Sequence, residues 1–460
     1  MPEEFQPTSD RLALAEERRL RKEKRMRDIA KELDESGRIL PREWITLQEA
    51  PISDKTVGGV KVMTWNLLAQ CLAASSSRLV TVSRQANENI CFIAKFCRMT
   101  QIYAAYRNAI YCFLNGDRSS ELIQEVDRLE KLLPVLEKSG YAWVYASGRR
   151  KKHGCLIAFR KDAYTLLEEK VVYYDEQDVR PDGTERAQRG GSFWTKNIAS
   201  MVRLQRNGLQ SNGVIVATTH LFWHPSYTYE RARQAAILMR EVTKFKASGS
   251  YGTQDWPCII AGDFNFSPDD PAYSLIVGDT LLPIQDARLA ASRVVHVTID
   301  PEVSTVPNAN PAEDEADVGG ETDPDRVITN ARSAMPADGL LSSTELVDMF
   351  RQSGTPNSVY DTGSRTCPSL AEDGFAYGNR EPVSPGKLGA YEPVWTSYTH
   401  YWKTVLDYIF VLPPHNHEMV VTKIAKPHRT EALQPGIPRK GVCGSDHISL
   451  GAELFWTAST

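Results

Sequence analysis

The chain has 460 residues and a formal net charge of −4, and 42% of its residues are hydrophobic. This composition is typical of a globular protein with one large core or two ordinary ones. The acidic balance argues against a protein that grips nucleic acid over a wide basic face, because such binding works mainly by neutralising phosphates.

The cysteines and the hydropathy pattern bear on the cellular setting. The eight cysteines form no Cys-x-x-Cys pair, and the first residues contain no apolar segment suited to a signal peptide. No run approaches the ~18 apolar residues needed to cross a bilayer. We therefore expect an intracellular protein, in the nucleus and nucleolus or in the cytoplasm, with no zinc knuckle and no membrane partner.

The first 50 residues are predicted to form a charged N-terminal arm that is partly helical or disordered. Residues 11–28 mix basic and acidic side chains with a few leucines, which is typical of an exposed helix. A solvated helix is one interpretation. The other is a nuclear-localisation segment or an RNA-contacting arm, with a ribosomal or nucleolar partner.

From Gly59 onwards, short apolar runs alternate with amphipathic stretches. The runs VKVMTW, GVIVATTHLFW, CIIAGDFNF and TVLDYIFVL predict buried strands, each ending in polar residues. The stretches DRLEKLLPVLEKSG and YERARQAAILMREVTKFKASG predict helices, the first with a glycine C-cap. Together they predict one α/β domain over residues 59–460.

One segment of this domain has a different composition. Residues 302–340 are rich in Pro, Ala, Asp and Glu and nearly free of aromatic residues. Such a segment cannot bury enough apolar surface to offset its ordering entropy. We predict a disordered acidic insertion there.

Polar clusters follow the predicted strands. Taken singly, an Asp or Asn at a strand end is usually a turn former or helix cap, and a lone His is usually structural. Their joint occurrence, in order and each beside an apolar run, indicates a shared site. The clusters are Trp65-Asn66, Gln124-Glu125, Thr219-His220, Asp263-Phe264-Asn265, Asp407 and Ser445-Asp446-His447.

These residue types suit phosphodiester hydrolysis. Oxygen ligands such as Glu125, Asp446 and an Asn carbonyl fit a hard cation like Mg²⁺, whereas zinc prefers clustered His and Cys. Neutral Asn and His can approach a phosphate oxygen without the repulsion of a carboxylate. Asp407 beside His447 is a pairing that fixes a histidine tautomer and raises its basicity.

The motifs MTWNLLAQC, LIQEVD, TTHLFWHP, AGDFNFSP, LDYIF and GSDHISL resemble, in order, those of the endonuclease/exonuclease/phosphatase superfamily. Within it, the chain resembles the branch of carbon-catabolite-repressor-type deadenylases, nocturnin, Angel proteins and fungal Ngl RNA exonucleases. The connecting segment RKKHGCLIAFRKD is most similar to the Ngl group. The resemblance implies a deoxyribonuclease-like α/β fold, a four-layered sandwich of two mixed β-sheets flanked by helices.

The resemblance also implies metal-binding and substrate-binding residues. Glu125 would be the principal ligand of magnesium, with manganese as an alternative, while Asn66 would support that metal and Asp446 would lie nearby. Asn197 matches a family position that contacts substrate phosphate. Arg233 is either a substrate contact or a helix-surface ion pair.

The remaining implied roles are catalytic. Asp263 would orient or deprotonate the attacking water. Asn265 and His220 would stabilise the phosphorane-like charge, and His447 paired with Asp407 would complete the acid and base groups.

The resemblance lapses over residues 73–121. The stretch GDRSSELIQE has only Leu122 and Ile123 as apolar residues before Gln124, so it predicts a weak buried strand and an uncertain position for Glu125. We hypothesise that this family-atypical segment comes from a retained intron or a misplaced exon boundary. A mature mRNA that encodes these residues unchanged would contradict that hypothesis.

Three functions remain open from the sequence. The first is a magnesium-dependent 3′ to 5′ exoribonuclease that shortens poly(A) or ribosomal RNA precursor 3′ ends and releases nucleoside monophosphates. The second is a phosphatase of nucleotide or RNA-end phosphates on the same site. The third is a catalytically inactive binding module.

Overall fold

A computed structural model describes residues 20–21, 24, 40–50, 57–69, 120–209, 212–249, 255–303, 330–439 and 441–458. Two mixed β-sheets lie face to face, and helices pack on their outer faces. The predicted four-layered sandwich is therefore confirmed. In the part of the chain that is described, no helix has the length and apolar character needed to span a lipid bilayer.

The strands follow one another along the whole described chain. In chain order they are β1 (Trp44–Thr46), β2 (Val57–Asn66), β3 (Ser120–Val126), β4 (Tyr141–Ser147), β5 (Gly154–Arg160), β6 (Tyr164–Tyr173), β7 (Ile198–Arg206), β8 (Gly213–His220), β9 (Cys258–Asp263), β10 (Val294–His296), β11 (Ala331–Ser333), β12 (Asn357–Ser358), β13 (Ser397–Tyr398), β14 (Lys403–Thr404), β15 (Asp407–Leu412), β16 (His417–Ala425) and β17 (Leu450–Ala458).

The helices connect these strands. In chain order they are α1 (Leu129–Lys138), α2 (Glu185–Arg189), α3 (Thr228–Ala247), α4 (Pro271–Ile276), α5 (Pro283–Ala291), α6 (Ser343–Arg351), α7 (Val359–Arg365), α8 (Ser369–Glu372) and α9 (Thr430–Leu433). Short 3-10 turns lie at Tyr174–Glu176, Pro336–Asp338 and Tyr377–Asn379. The predicted C-cap of α1 is confirmed, because Gly140 follows the helix with φ +81° and donates to Glu137 O.

Each large sheet contains one parallel pair. The first sheet has the order β1-β16-β17-β2-β3-β5-β4, and the second has the order β12-β15-β9-β8-β7-β6. Strands β2 and β3 are parallel, as are β8 and β9, and the other neighbours are antiparallel. Because parallel strands end at the same edge, each pair brings two strand ends together.

The core has an inner and two outer layers. Leu122 and Ile157 of the first sheet pack against Val216 and Ile259 of the second. Ile260 points to the opposite face, where α3 covers the second sheet, because successive side chains of a strand alternate between faces. Helix α1 covers the outer face of the first sheet in the same way.

The structure corrects the prediction for the strand that carries Glu125. Residues Ser120–Val126 form a strand in which every side chain is buried, paired with β2 on one side and β5 on the other. Two neighbouring strands supply the backbone hydrogen bonds that the local composition did not predict. The rest of the family-atypical segment, residues 73–119, lies outside the described residues.

Two predicted boundaries also need correction. Strand β1 pairs with β16, and Arg42 donates to Ala425 O and Lys426 O, so the sheet begins before Gly59. Residues 330–340 of the predicted insertion are not disordered: β11 pairs with β10, and the buried Asp338 forms ion pairs with two arginines. Residues 304–329 lie outside the described residues.

Candidate active site

Three strand ends of the second sheet bring three polar side chains together. His220 ends β8, Asp263 ends β9 and Asp407 begins β15, and the pairing places both His220 and Asp407 opposite Asp263. The approach of β8 to β9 requires glycine before Asp263, because a Cβ at Gly262 would lie 2.1 Å from Thr219 O. The GD sequence thus positions the carboxylate between its two neighbours.

The first sheet adds Asn66, at the end of β2, and Glu125 of β3. The side-chain nitrogen of Asn66 donates to Glu125 Oε1 and to Asp263 Oδ2, at 2.9 Å each. Asn66 therefore links the two sheets. The predicted convergence of these side chains at one rim agrees with this geometry.

Glu125 departs from regular strand geometry to reach the site. The pairing of β3 with β5 is irregular between Ile123 and Val126, and Glu125 has a φ of +56°. A non-glycine residue held in this region costs roughly 1–3 kcal/mol, and such residues concentrate at functional sites. The backbone nitrogen of Ala69 donates to Glu125 Oε2 at 2.9 Å, which ties the carboxylate to the loop after β2.

The segment Ser445-Asp446-His447 is held against the end of β2. Ser445 Oγ donates to Asn66 O at 2.7 Å and accepts from His447 N at 3.0 Å. The indole nitrogen of Trp65 donates to His447 O at 2.9 Å. These bonds fix the backbone that presents Asp446 and His447 to the rim.

His447 and Asp407 form the predicted pair. Their Nδ1 and Oδ2 atoms are 2.8 Å apart, and both side chains are buried. Burial lowers the pKa of His447, but the negative charges of Asp407 and Asp263 outweigh it and hold this pKa well above its ordinary value. His447 Nε2 lies 3.7 Å from Asp263 Oδ2, so the imidazole bridges the two carboxylates.

His220 lies on the other side of Asp263. Its Nε2 is 3.6 Å from Asp263 Oδ2, and its Nδ1 is 3.7 Å from Glu125 Oε1. Asn265, with φ +53°, donates its backbone nitrogen to Asp263 Oδ1 and its side-chain nitrogen to Leu221 O. Both residues therefore adjoin Asp263.

The crowded carboxyl groups resist ionisation. Burial raises the pKa of Asp263 to about 7, and the charges of Asp407 and Glu125 add to the rise. Burial also raises the pKa of Glu125, and Asp446 adds to it. A divalent cation would offset this concentration of negative charge, so the donor set fits a hard metal ion.

Several of these residues could hold such an ion. The ligand atoms of Asp263, Asp407 and His447 lie within 4.8 Å of one another. Asp407 Oδ1 is buried and has no hydrogen-bond partner among the described residues, so one acceptor is available there. Glu125 and Asp446, the predicted ligands, flank this group through their contacts with Asn66 and Ser445.

Asn66 does not present the atom that a metal would require. Its side-chain oxygen Oδ1 accepts from Leu68 N at 3.0 Å, and its side-chain nitrogen Nδ2 faces Glu125 and Asp263. Direct coordination would require the amide to turn over. Asn66 instead supports the cluster by donating to two carboxylates.

A pocket opens beside Glu125 and His220. Asn197 lies in it, where Lys151 Nζ donates to its Oδ1 at 2.7 Å, and its own Nδ2 donates to Gln234 Oε1 at 3.3 Å. These bonds set the amide's orientation. The lining residues are Glu125, Gly148, Lys151, His153, Gly154, Cys155, Lys196, Asn197, Ile198 and His220.

Arg233 does not belong to the pocket lining. It is 1% exposed and bonds to Glu230 Oε1, Arg189 O and Tyr174 O. Its neighbours leave no route to a ligand in solution, so the predicted substrate contact is wrong. The alternative of a helix-surface ion pair differs from the structure in its location, because Arg233 and Glu230 both belong to α3 and their ion pair is buried.

Sequence analysis missed the lysine and histidine side chains that line the pocket beside the predicted residues. His153, Lys151 and Lys196 line it, and the His153 ring centre is 6.4 Å from that of His220. For Lys151 and His153, the sequence signal was the basic run that precedes Gly154. A run of four cations directly before a buried strand indicates a positioned loop rather than a solvated surface.

Comparison with known proteins agrees with this geometry. The profile of the Endonuclease/Exonuclease/phosphatase family matches residues 63–447, a span that contains every converging side chain. A Schizosaccharomyces pombe protein named as a probable RNA exonuclease is 26% identical over 430 residues, covering 90% of this chain and 80% of its own length. The RNA exonuclease NGL2 of Saccharomyces cerevisiae is 24% identical over 486 residues, covering 96% of this chain and 87% of its own.

A solved structure shares the fold. ANGEL2, described as a 2′,3′-cyclic phosphatase in complex with adenosine-2′,3′-vanadate, superposes with a TM-score of 0.51 at 19% identity. The match covers 91% of this chain and 99% of that one. The predicted resemblance, including its fungal Ngl-type relatives, is confirmed.

Proposed function

Because the chain belongs to the Endonuclease/Exonuclease/phosphatase family, we propose that it is a magnesium-dependent exoribonuclease that works from the 3′ end and releases nucleoside monophosphates. Family membership and similarity to named RNA exonucleases identify it as a hydrolytic nuclease acting on phosphodiester bonds. The observation that carries the proposal is the single cluster that Asn66, Glu125, Asp263 and His447 form across both sheets.

The residues divide the chemistry between them. Asp263 orients the attacking water and accepts its proton, because its Oδ2 is held between Asn66 and the two histidines. His220 and Asn265 stabilise charge on the phosphoryl oxygens as neutral donors. His447, held by Asp407, supplies the remaining acid or base group.

Glu125 and Asp446 are the proposed ligands of magnesium, with manganese as an alternative. Both are carboxylates beside a buried acidic cluster, which suits a hard cation. When bound, the cation withdraws charge from the phosphate oxygens and neutralises the leaving oxygen. Asn66 keeps the Glu125 carboxylate in place.

Poly(A) and the 3′ ends of ribosomal RNA precursors are the proposed substrates. The charged N-terminal arm, in which residues 11–28 hold eight basic and four acidic side chains, is the proposed contact with a ribosomal or nucleolar partner. Co-sedimentation with ribosomal particles, compared between the full chain and a chain lacking residues 1–39, tests that contact. Equal co-sedimentation would contradict it.

The test compares three substrates with and without chelator: 5′-labelled oligo(A), NADPH and an RNA with a 2′,3′-cyclic phosphate end. We expect laddered shortening of oligo(A) that EDTA abolishes and Mg²⁺ restores. Asp263→Asn should lower the rate by about 10² to 10⁴, the usual contribution of a positioned general base. Asp348→Asn, an exposed change on α6, is the matched control.

The other outcomes are informative. Phosphate release from NADPH or from the cyclic end, without shortening, would replace the exonuclease by a phosphatase on the same site. Shortening that persists in EDTA, or that Asp263→Asn leaves unchanged, would remove the proposed mechanism.

A further inference from the structure

The turn between β4 and β5 carries four consecutive basic residues, Arg149 to Lys152. Two neighbouring contacts fix its shape. A Cβ at Gly148 would lie 1.9 Å from Lys196 O, so the turn packs directly on the segment that carries Lys196. Lys151 N donates to Gly148 O at 3.0 Å, and Arg150 adopts a φ of +61°. The cations are therefore presented by a constrained turn.

Part of this charge has no ion-pair partner among the residues that the structure describes. Arg149 pairs with Glu176 and lies over the Tyr173 ring. Arg150 and Lys152 are exposed, and neither forms an ion pair within the described ranges of the chain. In a chain of net charge −4, this is a local positive surface.

The turn borders the pocket, and its residues alternate between lining positions and exposed positions. Lys151 and His153 line the pocket with Glu125 and His220. Arg150 and Lys152, which alternate with them in sequence, are not among the lining residues. These two exposed residues therefore lie outside the pocket lining but directly beside Lys151 and His153, which belong to it.

We infer that Arg150 and Lys152 bind backbone phosphates of single-stranded RNA on the 5′ side of the scissile bond. The inference rests on the proposed function, because a 3′ exonuclease retains the 5′ part of its substrate. Lys and Arg at such positions bind phosphate regardless of base. A dinucleotide such as ApA has only the scissile phosphate and none on its 5′ side, so we expect the turn to favour long RNA over short.

The test uses the double variant Arg150→Gln, Lys152→Gln, which removes charge but keeps side-chain length. Binding of a 20-nucleotide oligo(A) is measured against salt concentration in the Asp263→Asn background, where hydrolysis is expected to be about 10² to 10⁴ times slower. Each phosphate contact of a single strand contributes about 0.7 to the slope of log K against log salt, so the slope should fall by about 1.4. In the active chain, KM for the 20-mer should rise severalfold, whereas KM for ApA should change less than about twofold.

Lys138→Gln with Lys161→Gln is the matched control. These two exposed lysines lie at the end of the β4–β5 hairpin away from the basic turn. Lys138 is the last residue of α1, and Lys161 follows β5, where its backbone nitrogen donates to Gly140 O. Their loss should leave the slope unchanged. Melting temperatures should match for all variants, because the altered side chains are exposed.

An unchanged slope in the Arg150/Lys152 variant, or an equal fall in the control, would overturn the inference. A chain that binds the 20-mer through this turn but shortens no RNA would refute the proposed function and retain the binding surface. Loss of ApA hydrolysis together with 20-mer hydrolysis would instead place the two cations in the pocket itself.

Discussion

Asn66 joins the two sheets through a single amide group. Both hydrogens of its nitrogen are used, one on Glu125 of the first sheet and one on Asp263 of the second. An aspartate at this position would present a third carboxylate to the other two. The neutral side chain therefore lets two acidic groups share one buried space.

Glu392 is a buried carboxyl group outside the site. Its Oε1 accepts from Tyr273 Oη at 2.8 Å and from Ser358 Oγ, and its Oε2 has no hydrogen-bond partner in the described part of the chain. Burial raises its pKa from 4.5 to about 8, and the charge of Asp361 adds to the rise. The folded chain therefore holds this proton at neutral pH.

The pH dependence of stability follows from that proton. Between about pH 4.5 and pH 8 the unfolded chain has released it and the folded chain has not, so stability falls as pH rises, by at most about 1.4 kcal/mol per unit. Glu392→Gln should remove this contribution. Urea unfolding of both chains at pH 5, 6, 7 and 8 measures it. If the free energy of unfolding depends on pH in the same way in both chains, the prediction is contradicted. The exposed change Glu381→Gln is the control.

At this scale the sequence predicted several of the residues that meet around Asp263, but not the orientation of their side chains. The motif around Asn66 marked it as part of the site. Which of its atoms faces Glu125 depends on partners 59 and 197 positions away, and no local pattern encodes them. His153 was missed for the same reason, because only the fold brings it next to His220.

At the scale of elements, β3 shows tertiary pairing overriding local propensity. Its seven residues include three charged or hydroxyl side chains at or next to its ends, and all seven are buried. The strand exists because β2 and β5 pair with it on both sides. Strands β8 and β9 were predicted without difficulty, since their apolar runs match a buried parallel pair.

Helix α3 supports the site with buried polar groups. Glu230 accepts from Ser192 N at 2.8 Å and pairs with Arg233 at 3.0 Å. Gln234 accepts from Phe222 N and from Asn197 Nδ2. These groups fix the segments that follow β8 and precede β7. Such a network is invisible in a helical hydrophobic pattern, where polar residues indicate a solvent face.

The buried Glu230–Arg233 ion pair predicts how substitutions at these two residues change the free energy of unfolding. Arg233→Met leaves Glu230 buried without its cation and should lower the free energy of unfolding by about 3–5 kcal/mol. Adding Glu230→Gln should recover part of the loss, because the charge disappears while an acceptor for Ser192 N remains. Arg351→Met, at an exposed pair on α6, should cost less than about 1 kcal/mol. Urea unfolding measures all three.

If the Arg233→Met chain is as stable as the wild type and its KM for oligo(A) rises, the stability prediction is contradicted and a substrate role for Arg233 is supported instead.

For the whole molecule, the inner layer holds the two sheets at a fixed separation. Ile259 is fully buried there, among residues of both sheets. Ile259→Ala should lower the free energy of unfolding by about 2–5 kcal/mol, the usual effect of deleting a buried aliphatic side chain. Ile284→Ala, at a position 65% exposed on α5, should change it by less than about 0.5 kcal/mol. Denaturant unfolding distinguishes the two, and equal losses would contradict this account of the core.

The architecture was predictable because the family's motifs occur in order along the chain, and the layers follow from the apolar runs between them. The edges of the sheet and of the domain were not predictable. Strand β1 has three residues and forms only against β16, which lies more than 370 positions later in the chain. Residues 330–340 looked too polar to fold, yet two arginines neutralise Asp338 there.

The late position of β17 in the chain bears on when the active site can form during synthesis. This strand lies between β16 and β2, and the turn just before it supplies His447. A ribosome has already made Asn66, Glu125, His220 and Asp263 by the time it reaches this strand. The centre is therefore incomplete in every shorter nascent chain: until residue 447 has been made, Asp407 lacks its imidazole partner, and no hydrolysis through this cluster is expected.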